Sequence, residues 1–154
     1  MAMVTNSSLD RAWTVSADHQ LVTYDLTASS SSIKTWSIGH IGHASLAISP
    51  DERVLAIGGW DGKIRLLSSS TGKPLGELGY HRDTVHCVAF ASRRTSSTIE
   101  QEERESTIEL GDEDSEDDEG VEDGAPPRER WLISGGKDRR VALWGLMDFT
   151  STTS

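Results

Sequence analysis

Histidine and cysteine are the side chains that do chemistry most readily near neutral pH, and this sequence brings several of them close together. His40-Ile41-Gly42-His43 sets two imidazoles three residues apart, and His81, His86 and Cys87 follow within one short stretch. Structural zinc sites draw on about four His or Cys ligands, and a single thiol with scattered imidazoles does not supply them. Serines are abundant enough for Ser-His pairs to be drawn anywhere along the chain. Neither a Gly-x-Ser-x-Gly nucleophile elbow nor a glycine-rich phosphate loop is present, however. Catalysis, a metal and a cofactor are therefore not expected, and Cys87, within the apolar run His86-Cys87-Val88-Ala89-Phe90, reads as an inert core thiol.

The elements around these residues form a repeat. An apolar strand, a tight turn ending in aspartate and a second alternating strand occur three times: Trp13 to Asp18 with Gln20 to Tyr24, Leu55 to Asp61 with Lys63 to Leu67, and Leu132 to Asp138 with Arg140 to Trp144. In every copy the sixth residue after the aspartate is large and apolar: Tyr24, Leu67 and Trp144. Period-two alternation bounded by Gly, Asp and Ser predicts antiparallel hairpins and an all-β class. The aspartates lie 43 and then 77 residues apart; without the 39 residues from Ser92 to Arg130 the second interval shrinks to 38. One unit is thus interrupted by a long insertion. The middle unit shows a full cycle, with strands at Ala44 to Ile48, Val54 to Gly58, Lys63 to Ser68 and Pro74 to Leu78.

The charge is concentrated in that insertion. From Glu100 to Asp123 there are fourteen acids against one base, Arg104, while the remainder of the chain is mildly basic at +3. Such a stretch buries too little apolar surface to offset its ordering entropy and reads as a disordered loop. It is either a passive insertion or a docking tract for basic partners, with Ser115, followed directly by acids, a candidate phosphosite. The weakly basic remainder carries no basic stripe, so direct nucleic-acid binding is not expected. No apolar run approaches a membrane span, and Met1 to Asp10 does not read as a leader, which points to an intracellular protein.

These spacings resemble the WD40 family, whose blade motif places Gly-His before the first strand and Trp-Asp at the end of the third. The last unit matches best: His81, Ser134, Asp138 and Trp144 fall at the four positions of the family's hydrogen-bonded tetrad. The middle unit keeps Gly39-His40 and Asp61, but Ile57 and Leu67 replace the hydroxyl and the tryptophan, so that blade should depend more on plain packing. The first unit keeps Thr14, Asp18 and Tyr24-Asp25 but lacks any first strand or Gly-His, so it is expected to begin inside a blade. The implied fold is a partial β-propeller of about three four-stranded blades, part of a larger propeller because closed rings need about four to eight. The expected layout is a flexible start over 1–11, blades over 12–91, the insertion over 92–130, a last hairpin over 131–149 and a tail over 150–154.

Runs such as Val54 to Leu66, Leu78 to Val85 and Lys137 to Phe149, split by an acidic interruption, resemble the C-terminal part of the fungal ASTRA-associated protein 1 family. That resemblance implies a non-enzymatic nuclear scaffold subunit of the ASTRA complex, tied to chromatin regulation and to maturation of phosphatidylinositol-3-kinase-related kinases. The alternative is a WD-repeat adaptor that recruits substrates or histone tails to a ligase or histone-modifying enzyme. On either reading the partners are other protein subunits. The residues expected to meet them are Trp60, Tyr80, Arg82, Lys137 and Arg139, an aromatic and basic cluster at one end of the strands, where a bulky indole has little structural reason to sit.

Overall fold

The computed structural model describes residues 1–27, 32–39, 42–91 and 131–146. Its strands are β1 (Ala2–Thr5), β2 (Arg11–Val15), β3 (Gln20–Asp25), β4 (Ile33–Ser37), β5 (His43–Ile48), β6 (Val54–Gly59), β7 (Lys63–Ser68), β8 (Pro74–Gly79), β9 (Val85–Phe90), β10 (Trp131–Gly136) and β11 (Val141–Gly145). All pairing is antiparallel between chain neighbours, giving the sheets β1-β2-β3-β4, β5-β6-β7-β8 and β9-β10-β11. Hairpins this local follow directly from the short turns between alternating strands. The expected insertion, Ser115 within it, His40, the last three residues of the expected final hairpin (147–149) and the tail over 150–154 lie outside the described residues.

The second sheet lies between the other two. One seam joins Trp13, Val15 and Leu21 of the first sheet to Leu55, Ile57 and Leu67 of the second. The other joins Val54, Ala56, Ile64 and Leu66 to Val85, Val88 and Leu132 of the third. β6 is buried along its whole length, which is why its sequence is a continuous apolar run; a strand covered on both faces has no solvent side to mark with polar residues. Burying each of these aliphatic side chains contributes about 1.5–3 kcal/mol. Polar ties cross both seams: the Trp13 indole N–H donates to the Ser69 carbonyl at 3.3 Å, and the Ser45 hydroxyl to the Val85 carbonyl at 3.0 Å.

Two expectations are corrected. The first unit does have a first strand, for β1 pairs with β2 in the register Ala2↔Val15 to Thr5↔Ala12. The stretch expected as a flexible start therefore carries a strand and a turn, in which Asn6 accepts from the Arg11 N–H and donates to Ser8 and Asp10. Four residues without a preceding Gly-His were too short a pattern to read. Cys87 is exposed rather than core. A register shift opposite Gly135 and Gly136 lets Val85 and Val88 both face the second sheet, whereas Cys87 shares the uncovered face with Ile133, Val141 and Leu143. The middle blade, whose Ile57 and Leu67 do enter an apolar seam, also holds an ion pair: Arg65, buried in β7, pairs with Asp61 and reaches Glu77.

Candidate functional site: the turn end of the sheets

The β6–β7 turn, the β8–β9 loop and the β10–β11 turn meet at one end of the stack. Gly62 shows why: its φ of +78° suits a residue without Cβ, and a Cβ there would stand 2.5 Å from the His81 carbonyl oxygen. The β6–β7 turn is therefore seated directly on the loop that carries His81.

That loop is anchored by a chain of four side chains. The Trp144 indole can only donate, and its N–H meets Ser134 Oγ at 2.9 Å. Ser134 lies 2.9 Å from His81 Nε2, and His81 Nδ1 lies 3.0 Å from Asp138 Oδ1. One assignment satisfies every group: the hydroxyl donates to Nε2, and the Nδ1 proton goes to the carboxylate. Asp138 also accepts from the Arg82 and Arg140 backbone N–H groups. Burial works against its ionisation, but the Arg82 N–H, His81 and the Arg140 N–H outweigh it and hold the carboxyl below its usual range. The Ser-His-Asp order is that of a hydrolase triad. Here the serine is fully buried and its oxygen already holds an indole N–H, so no substrate carbonyl can approach it.

The corresponding positions in the other sheets differ. Thr14 and Tyr24 lie on the face of the first sheet turned away from the second, and Asp18 accepts from the Gln20 N–H at 3.2 Å. In the second sheet Ile57 and Leu67 enter the apolar seam, and Asp61 takes Arg65 through two guanidinium contacts of 3.2 and 2.5 Å. Arg65 first, and the Lys63 N–H besides, pull the Asp61 carboxyl below its ordinary value against the effect of burial. The sequence offered a signal for this pair in the i, i+4 spacing of Asp61 and Arg65, which the family pattern obscured.

Outside this frame stand the residues expected to meet partners. Trp60 is 51% exposed and Tyr80 48%. Trp60 has a structural contact that was not expected: its ring lies over Gly42, where a Cβ would come within 2.4 Å. Tyr80 packs edge-on to His81 and Trp144, with the Arg140 guanidinium 5.6 Å from its ring centre. Lys137 reaches Asp83 at 3.6 Å, and Arg139 holds a left-handed φ of 63° in the β10–β11 turn. Arg82 and Lys137 thus gather on one loop pair beside Tyr80, joined by Arg140, while Trp60 lies apart from them over Gly42. Among the described residues no group of three His, Cys, Asp or Glu is placed to hold a metal.

Comparison with known proteins agrees with this geometry. Residues 7–93 match the family of the anaphase-promoting complex subunit 4 WD40 domain, and residues 124–145 match the WD domain, G-beta repeat. The chain belongs to the WD40 family. Among curated relatives, ASTRA-associated protein 1 of Penicillium rubens is 28% identical over 132 residues, covering 75% of this chain and 30% of the relative. Guanine nucleotide-binding protein subunit beta-like protein 1 of Mus musculus is 38% identical over 113 residues, covering 73% of this chain and 24% of its own length. The WD40 chain therefore spans less than a third of the length of these relatives. In structure it is similar to the WD40 β-propeller domain of Doa1, with a TM-score of 0.60, 16% identity, and coverage of 93% of this chain and 36% of that one.

Proposed function

We propose that this WD40 chain is part of a non-enzymatic scaffold subunit of an ASTRA-type assembly and binds partner proteins at its turn end. One observation carries the reading. Two half-exposed aromatic side chains, Trp60 and Tyr80, stand among Arg82, Lys137, Arg139 and Arg140 on turns held by the buried tetrad. Aromatic and arginine side chains on a rigid support are the usual composition of a protein-binding hot spot. The ASTRA assignment is supported by the likeness to ASTRA-associated protein 1. A nuclear location, a part in chromatin regulation and a part in maturing phosphatidylinositol-3-kinase-related kinases belong to the same proposal.

Affinity purification of the tagged protein from its own cells tests it. Recovery of kinases of that class with their chaperones supports the proposal. Recovery of a ubiquitin ligase or a histone-modifying enzyme in their place favours the adaptor reading and overturns the ASTRA assignment.

A further inference from the structure

At the opposite end of the stack, where β2 begins and β3 ends, the first and second sheets leave a cleft of about 270 Å³ lined by Arg11, Thr23, Asp25, Ser32, Lys34, Trp36, Ser69 and Ser70. We propose that this cleft binds a phosphorylated serine or threonine on an extended peptide. Lys63, Arg65 and Lys137 are all taken by carboxylates. Arg11 and Lys34, by contrast, make no ion pair within 4 Å among the described residues. The carboxylate between them, Asp25, accepts from the N–H and the hydroxyl of Thr27. The cleft therefore offers a guanidinium and an ammonium to an incoming anion, and guanidinium is the group best shaped for a phosphate.

Its floor is held firmly. The Trp36 ring lies over Gly72, where a Cβ would come within 2.4 Å, and the indole N–H donates to Thr23 Oγ1 at 3.3 Å. Thr23 keeps its own hydroxyl proton to give.

Size and position point to a peptide rather than a cofactor. Pockets for drug-sized ligands begin at about 300 Å³, so this one accepts a side chain and little more. β4, which supplies Lys34 and Trp36, is the outermost strand of its sheet and pairs on one side with β3. An extended peptide adding along that edge would present alternate side chains toward the cleft.

The full chain labelled with nitrogen-15 tests this by NMR, using Gly-phosphoserine-Gly, Gly-Ser-Gly and inorganic phosphate as probes. The phosphopeptide is expected to shift the Trp36 indole resonance saturably, with Gly-Ser-Gly at least tenfold weaker. The double variant Arg11→Gln/Lys34→Gln should weaken the phosphopeptide by tenfold or more, while Lys63→Gln at the other end leaves it unchanged. An unaltered melting temperature of the double variant shows that its fold is intact. Equal binding of Gly-Ser-Gly, or full binding by the double variant, overturns the proposal. Saturation by inorganic phosphate at the same concentration overturns the peptide assignment.

Discussion

Ser134 holds two neighbours at once, taking the Trp144 N–H and facing His81 Nε2, both at 2.9 Å. Ser134→Ala leaves a buried imidazole nitrogen unpaired, and such a loss costs about 1–3 kcal/mol. Thermal denaturation should show that drop, with the far-ultraviolet strand signal kept below the transition. A second residue-scale prediction follows from Asp61. Its carboxyl is held below the usual range chiefly by Arg65, so its stabilising effect is complete above the ordinary carboxylate value of 3.8 and fades as pH falls through the lowered one. Arg65→Met removes the cause of the shift. The variant should therefore lose less of its remaining stability between pH 4 and pH 2 than the native chain does, as read from melting temperatures along that series. Asp61 is partly exposed, which limits the size of the effect.

At the scale of elements, two features of the turns can be tested directly. Gly62→Ala forces a side chain into a left-handed backbone and against the His81 carbonyl. Strain of that kind costs about 1–3 kcal/mol, and chemical denaturation should measure it. The insertion should behave in the opposite way. The Ala91 N–H donates to the Trp131 carbonyl at 2.9 Å, so β9 and β10 stay paired up to the point where the inserted residues leave the sheet. Replacing residues 92–130 by a short turn should leave the melting temperature unchanged or slightly raised; a clear fall would mean that the insertion supports the fold. Most of these elements are legible in the sequence because period-two alternation and the aspartate turns fix register locally, as β5 to β8 show. What escaped was set by packing between elements. β1 is too short to carry a pattern of its own. The exposure of Cys87 depends on which face of its sheet is covered, and the ring of Trp60 lies over Gly42, which is distant from it in sequence. The Arg11 and Lys34 cleft is likewise formed across a seam, so neither residue stands out in its own strand.

Across the whole molecule, the described stack is covered in the middle and open on its flanks. Val141 is 73% exposed and Leu143 59%, beside Ile133 on the third sheet, while Met3 and Ile33 are exposed on the far side of the first. Contiguous bare apolar surface favours association, as do unpaired strand edges. The isolated chain should therefore sediment as a concentration-dependent assembly, and Val141→Lys with Leu143→Lys should shift it toward the monomer. A monomeric native chain would remove that reading of the flanks. On the proposed function, the tetrad builds the turn end and the half-exposed aromatics use it. The most direct measurement compares Trp60→Ala with Ser134→Ala for capture of native partners and for melting temperature, in the same preparation. Trp60→Ala should lose most of the capture for a small fall in melting temperature, because its ring covers Gly42 with one face and offers the other to a partner. Ser134→Ala should melt markedly lower yet capture partners normally while folded. Full capture by Trp60→Ala, or a melting temperature as low as that of Ser134→Ala, would contradict the account.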